Sequence, residues 1–439
     1  MFQTLLNAFR IKDIRKKILY TMGIILIFRI GCALPAPGVN TLYFEAWFAS
    51  QAGDAFNFFN AVTGGSFSEL SIFALSISPY ITSSIIMQLL TIAIPKLEEM
   101  QKEGEDGKQK INKMTRILTV VLAVVQSTAM AIGFGSNGMI PDYTWYNVLI
   151  VVATWTAGAS VIMWLGERIT KNGIGNGISI ILLINILSSI PGDLANLYYT
   201  FVQGKSVLIG VIASVIIIAV ILAMVVFTVV LQGGERRIPV QYAQKMQGRR
   251  MVGGQSSNIP IKVNTAGVIP VIFASSLMTT PVVIAGFFDV NYDSVGGFIL
   301  RMLSSSNWLN PTAGWQYSIG LVIYLALIIM FAYFYTSITF NPIEIANNMK
   351  KQGGFVPGIR PGKPTSDYMN RILNYIVFIG AVGLIIVAIV PIIFSGLFGL
   401  ASLSFFGTSL IIIVGVILET LKAIESQMLV RNYKGFLND

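Results

Sequence analysis

Residues 59–97 read FNAVTGGSFSELSIFALSISPYITSSIIMQLLTIAIPKL, and the two parts of this stretch suit opposite environments. Residues 72–94 are long and apolar enough to cross a hydrocarbon layer of about 30 Å, which takes about 20 helical residues. Residues 60–70 are too short and too polar to span, because Gly64, Gly65, Ser66, Ser68 and Glu69 stand among few apolar side chains. A small polar segment therefore leads straight into a spanning helix. Read every third or fourth residue, one face of that helix carries Ser78, Ile81, Ser84, Ile85 and Gln88. A helix that meets only lipid has no use for small hydroxyl and amide neighbours on one side. The spacing predicts a helix lining a pore or gate, with the short segment as its stopper.

Composition extends this reading to the whole chain. Of the 439 residues 54% are hydrophobic and only 11% charged, and the mean hydropathy is +0.72. That balance belongs to an all-α polytopic membrane protein and not to a large soluble core. The one cysteine, Cys32, lies inside the first apolar run, so no disulfide framework and no thiol metal site is expected. The absence of histidine excludes histidine metal sites, acid–base pairs and proton relays. No cofactor is expected. The basic N-terminus followed by an apolar run resembles a signal peptide. The ALPAPG at 33–38, however, puts prolines where a cleavage site would be, so the run reads as a retained first helix.

Ten apolar runs follow one another, near 18–34, 72–94, 117–134, 147–165, 177–190, 207–231, 265–287, 316–336, 372–394 and 405–424; the fifth is short and can extend through 194–202. Charge orients them. Segments 1–17, 95–116, 166–176, 232–264, 337–371 and the tail after 424 hold 5, 6, 2, 6, 5 and 2 of the 30 Lys and Arg residues. The alternate segments hold only Lys205 and Arg301. By the positive-inside rule both termini are cytoplasmic, and the net charge of +10 is mostly this asymmetry. Ten spans divide into five plus five, and an odd-numbered half comes out inverted relative to the other. The second and seventh spans each place a proline one turn before a serine pair: Pro79 before Ser83 and Ser84, Pro270 before Ser275 and Ser276. Inverted repeats are common in transport proteins, with the path running between the halves; chance similarity of two serine-bearing helices is the alternative.

Enzymatic readings fare poorly. The spans are almost free of carboxylates until Glu419, which leaves neither paired acids nor a nucleophile with its base. The same lack argues against an ion-coupled carrier, which keeps acids at mid-membrane. The only deeply placed charge is Arg29, near the outer end of span 1, and its simplest reading is an arginine snorkelling to the interface. Ile81 and Ile85 read first as packing residues, and otherwise as an aliphatic constriction that excludes ions by dewetting. Gln126 in the third span reads first as interhelical glue.

The two long cytoplasmic loops say more. Residues 232–264 place Arg236, Arg237, Arg249 and Arg250 with little acid nearby, and 348–364 read NMKKQGGFVPGIRPGKP. Prolines fix φ and glycines allow tight turns, so the second loop is predicted to be a stiff projection with Arg360 near its tip. Such loops suit docking of a large cytoplasmic partner better than a mere topology signal.

At these loops a resemblance becomes plain. FRIGCALPAPGVN, IFALSISPYITSSIIMQLL, GIGNGISI, GERRIPVQYA, KVNTAGVIPVIFASS and FNPIEIANNMKKQGGFVPGIRPGKPTSDYMNRI are similar, in order and over essentially the whole chain, to the bacterial SecY family. These are main subunits of protein-conducting channels. The resemblance implies ten transmembrane helices in two inverted five-helix halves that form a clamshell, with a short plug helix at 58–68. The implied layout is a cytoplasmic N-terminus at 1–17, halves at 18–190 and 207–424 around an external hinge loop at 191–206, and a cytoplasmic tail at 425–439. The plug would include Asn60, Gly64, Gly65 and Ser66. A pore ring would map to Ile81, Ile85, Leu182, Ile186, Ile272 and Ile412, Leu182 replacing the isoleucine of many relatives. A lateral gate between spans 2 and 7 would involve Ser83, Ser84, Gln126, Ser275 and Ser276.

The loops 232–264 and 337–371, with Arg236, Arg237, Arg249, Arg250 and Arg360, would dock the ribosome and the SecA ATPase motor. SecE and SecG would be companion subunits. Secretory precursors and nascent membrane proteins would be the cargo, and lipid the destination of transmembrane segments. The implied location is the bacterial plasma membrane. The chain has no G-x-x-x-x-G-K-[ST] phosphate loop, so driving force must come from outside; the GIGNG at 173–177 is at most a turn. A non-enzymatic channel is the expectation. A secondary carrier for a small solute is the alternative, and a scaffold for other membrane proteins is a third reading.

Overall fold

The computed structural model describes residues 9–51, 60, 63–203, 206–242, 245–247, 250–252, 256–285, 294–310, 314–398 and 408–435. Helices occupy all ten predicted runs. Spans 1 to 5 are Lys12–Cys32, Ser78–Ala93, Glu105–Phe134, Trp145–Asn172 and Gly177–Phe201. Spans 6 to 10 are Val207–Gly233, Ile269–Ala285, Ile319–Thr339, Lys363–Phe398 and Thr408–Gly435. By length and hydropathy six helices among the described residues qualify as membrane-crossing on their own, and Ser78–Ala93 with Pro95–Gln101, bent by 106°, makes a seventh. Helix is the necessary form for such runs, because a lipid-embedded backbone must satisfy its own polar groups.

The two halves repeat one packing pattern. Spans 2 and 3, 3 and 4, 1 and 4, and 4 and 5 are neighbours in the first half. Their counterparts five spans on, 7 and 8, 8 and 9, 6 and 9, and 9 and 10, are neighbours in the second. The five-plus-five division read from two proline–serine motifs is thus visible in which helices touch. The halves meet where span 5 packs on spans 6 and 10, which also pack on each other.

Two expectations change. The second apolar run was expected to be helical from residue 72, but the helix begins only at Ser78, with Pro79 in its first turn, a position where the missing N–H costs nothing. Residues before it form turns, with Leu70 and Ser76 at φ of 46° and 48°. Their backbone groups bond sideways to the 34–36 segment: Ile72 N donates to Leu34 O at 2.8 Å and Ala36 N to Leu70 O at 2.9 Å. Phe73 stacks on Phe28 of span 1 with centroids 5.8 Å apart, and its ring fills the place a side chain on Gly31 would take. The second change is at 191–206, which the resemblance gave as an external hinge loop; the extension of the short fifth run through 194–202 is the reading that holds. The chain stays helical through Pro191 to Phe201, because continuing the helix buries Leu197 against Ile217, Ile221 and Val390 of spans 6 and 9.

The two long basic loops fold as well. Loop 232–264 contains strands β1 (Glu235–Tyr242), β2 (Lys245–Gln247), β3 (Arg250–Val252) and β4 (Ser256–Lys262). Loop 337–371 contributes a helix, Pro342–Lys351, and β5 (Gly354–Phe355). β1 pairs antiparallel with β4 from Glu235↔Lys262 to Gln241↔Ser256, and with β5 at Gln241↔Phe355 and Tyr242↔Gly354. Period-two alternation buries Ile238 and Val240 of β1 in one cluster with Met349, Val356, Met369 and Leu373. The two loops, read separately from the sequence, share one sheet.

Candidate functional site

Span 5 organises the site, because three zones follow one another along it. Asn176 caps the helix, its Oδ1 accepting from Ile178 N at 3.1 Å, so the helix starts at a fixed point. Ser179 faces a cavity, Leu182 and Ile186 lie in an apolar cluster, and Asn185 and Ser188 meet the 60–76 segment. At 1.5 Å per residue, Ser179 to Ser188 covers about 14 Å of helix.

The apolar zone joins both halves. Ile186 and Ile412 are buried members of one cluster, and Ile81, Leu182 and Ile272 pack against it. Spans 2, 5, 7 and 10 therefore each send an aliphatic side chain to one place. Ile85, the sixth predicted ring residue, lines the adjoining cavity instead, together with Ile81 and Ile272. This cavity, of about 720 Å³, is lined by residues of spans 2, 3, 4, 5 and 7. Its wall on span 2 is Tyr80, Ile81, Ser84, Ile85 and Gln88, which is the face predicted from the sequence with Tyr80 in place of Ser78. Span 7 supplies Ile269 and Ile272, and the mouth carries Asn112, Arg116, Glu167, Arg168 and Lys171. Arg116 pairs with Glu167, and Arg168 lies 5.0 Å over the Trp164 ring. Spans 2 and 7 are not among the closely packed helix pairs; the cavity lies where they would meet.

Of the predicted gate residues, only Ser84 lines this cavity. Ser83 is buried and its hydroxyl donates to Pro79 O at 2.8 Å. Ser275 donates to Ile272 O at 3.0 Å, and Ser276 is exposed. Gln126 sits on span 3, with its buried Oε1 unpartnered among the described residues. Serines that bond their own preceding turn are locally satisfied and bend helices slightly; they do not bridge two helices here.

On the far side of the apolar zone lies the polar segment. Asn60 and Thr63 are helical, and 64–70 are turns; residues 58, 59, 61 and 62 of the predicted plug lie outside the described residues. Asn60 ties the turns, its carbonyl accepting from Gly65 N at 3.0 Å and its Oδ1 from Ser68 N at 3.0 Å. Ser66 is buried. Gly64 has φ +69°, and a Cβ there would stand 2.8 Å from Asn185 Oδ1 and 2.9 Å from Asn185 Cα. Only glycine satisfies both the backbone and the space. The Gly64 carbonyl accepts from Arg29 at 3.3 Å, and Ser188 Oγ lies 3.2 Å from the same oxygen. Deeper in, Asn185 Nδ2 donates to Ser76 Oγ at 2.9 Å, fully buried. Sequence reading gave Arg29 to the interface and passed over Asn185 and Ser188. Their signal was present as polar residues within an apolar run.

On the basic side, Arg236 and Arg237 of β1 and Arg360 are exposed. The Arg360 carbonyl accepts from Thr365 Oγ1 at 2.8 Å, which fixes the turn before span 9. Arg249 and the side chain of Arg250 lie outside the described residues.

A family model described as SecY matches residues 71–421. The chain belongs to the SecY family. The SecY relatives include the protein translocase subunit SecY of Halalkalibacterium halodurans, 43% identical over 443 residues and covering 100% of both chains. That of Streptomyces scabiei is 44% identical over 453 residues, again covering 100% of each. Two solved structures share the SecY fold at 17% identity, each matching 95% of this chain and 93% of its own. One is described as the structure of a protein conducting channel, with a TM-score of 0.61. The other is Sec61 in the canine ribosome-channel complex, with a TM-score of 0.59.

Proposed function

We propose that this chain is the central, pore-forming subunit of a protein translocase in the bacterial plasma membrane, with both termini cytoplasmic. Unfolded polypeptide enters from the basic side through the cavity and crosses the aliphatic zone of Ile81, Leu182, Ile186, Ile272 and Ile412. It leaves past the displaced 60–70 plug. The observation that carries this reading is the convergence of aliphatic residues from both halves between an open cavity and a glycine-seated polar segment. A translocating chain presents every side chain in turn, so its path must bind none of them strongly. Aliphatic walls make no directional bonds and dewet when nothing fills them.

Lateral release of transmembrane segments into lipid takes place between spans 2 and 7, which share a cavity and not a packed seam. The wall of that gate is Ile81, Ser84, Ile85 and Ile272. The exposed Arg236, Arg237 and Arg360 form the dock for the ribosome and for a SecA-type ATPase, SecE and SecG are companion subunits, and the chain does no chemistry of its own. A carrier for a small solute has no support from the family to which the chain belongs.

The test is crosslinking from a stalled precursor to single cysteines at Ile85, Ile272 and Ile412, in a Cys32→Ser background. The protein would be reconstituted in liposomes with SecE and SecA. ATP-dependent crosslinks at all three positions, absent from lipid-facing controls, are expected. Crosslinks confined to the cytoplasmic loops would mean that the chain is a docking platform and that the path runs elsewhere.

A further inference from the structure

We propose that Arg29 is a positioning residue that latches the plug shut through the Gly64 carbonyl. Three observations carry this. The Arg29 guanidinium donates to Gly64 O at 3.3 Å and to Ser188 Oγ at 3.2 Å, so one side chain of span 1 holds the plug and span 5 together. Ser188 Oγ lies 2.7 Å from Asn185 O and 3.2 Å from Gly64 O, and its single proton serves either. The arginine therefore completes a carbonyl that the hydroxyl alone need not satisfy. Finally, Gly64 is pressed on Asn185 in a backbone conformation that L side chains avoid, which turns its carbonyl towards the pair.

The choice of arginine has a physical reason. Its bonds here are long, so the latch yields, and the long stem lets the charge reach the outer interface once the plug has left. A short amide would be stranded unpaired in the same event. Snorkelling, the reading favoured by the sequence, then describes the released position and the hydrogen-bonded geometry the closed one.

This rests on the channel reading of the same site, and the experiment separates the two. The full complex with its companion subunits is reconstituted in vesicles, and resting ion efflux is read without cargo, beside ATP-driven import of a precursor. Loss of a charge-assisted bond of this kind raises the unlatched fraction about tenfold, so Arg29→Gln is expected to increase resting efflux by about that factor with import retained. Arg29→Lys, which keeps a charged donor, should stay near wild type. Ser188→Ala should leak less than Arg29→Gln, and the double variant no more than Arg29→Gln alone, because both act on one carbonyl. Efflux from Arg29→Gln equal to wild type, or additive leaks in the double variant, overturns the latch. If Arg29→Gln fails to accumulate, the Lys and Ala variants decide by the same criteria. A wild-type complex that imports nothing overturns the channel reading itself.

Discussion

On the proposed reading two closures stand in series along span 5, and they are built on opposite principles. The plug is seated by direction: a glycine with no room for a side chain, a carbonyl offered to Arg29 and Ser188, an Asn60 amide tying the turns. The apolar zone is closed by shape alone, with Ile186 and Ile412 buried and their neighbours packed around them. A directional closure is specific and fails all at once when one bond geometry is lost. A non-directional one conforms to whatever occupies it and degrades gradually. The contrast explains why polar residues gather at one level of the helix and aliphatic ones at the next.

The comparison breaks most visibly at Gly64. A left-handed backbone costs a side chain about 1–2 kcal/mol before any clash, and Gly64→Val adds contact with Asn185 under 3 Å. Resting ion efflux from reconstituted vesicles should rise about a hundredfold, the equivalent of about 3 kcal/mol, while ATP-driven import continues. Next in size is Arg360→Glu, which reverses the charge of the proposed dock and touches neither closure. Motor-driven import should fall about tenfold, since a like charge set against a partner costs over 1 kcal/mol, with efflux unchanged.

Ile186→Ser sharpens the contrast. A hydroxyl wets the apolar zone, so efflux should increase severalfold when a stalled precursor holds the plug away, and stay at the wild-type level at rest. Equal leaks in both states would show that the two closures are not in series. Asn185→Ala removes the buried bond to Ser76; leaving a buried hydroxyl unmatched costs about 1–3 kcal/mol, to be seen as a lower unfolding temperature in detergent. Smallest of all should be Leu182→Ile. A volume-conserving swap in a non-directional wall costs less than about 1.5 kcal/mol, and import rates should match wild type.

Much of this was legible in the sequence. Hydropathy placed all ten helices, because a lipid environment makes length and apolarity nearly sufficient. The face of span 2 that lines the cavity followed from helical periodicity, since Ile81, Ser84, Ile85 and Gln88 recur at three and four residues. Residues 72–77 misled for the same reason. Phe73 and Ile77 are as buried as helix residues, and hydropathy cannot separate a buried turn from a buried helix. Leu197 extended span 5 through contacts supplied by spans 6 and 9, which lie distant in sequence. Ser83 and Ser275 read as interhelical groups, yet each found an acceptor in its own preceding turn. Arg29 could not be assigned because one of its acceptors is a backbone carbonyl, which leaves no mark on the sequence, and the other, Ser188, lies 159 residues away.

The shared sheet has a mechanical consequence. β1 continues from span 6, β4 leads to span 7, and β5 stands between spans 8 and 9, so one small plate ties the ends of four helices. Lys422 of span 10 reaches Glu235 at its edge. At the same level the N-terminal half is joined by the short helix Pro95–Lys102 and the loop 173–176. One jaw of the channel is braced across its base and the other is strung on separate connectors. On the docking role proposed above for Arg360, a push delivered there is shared among the ends of spans 6 to 9 as a single load.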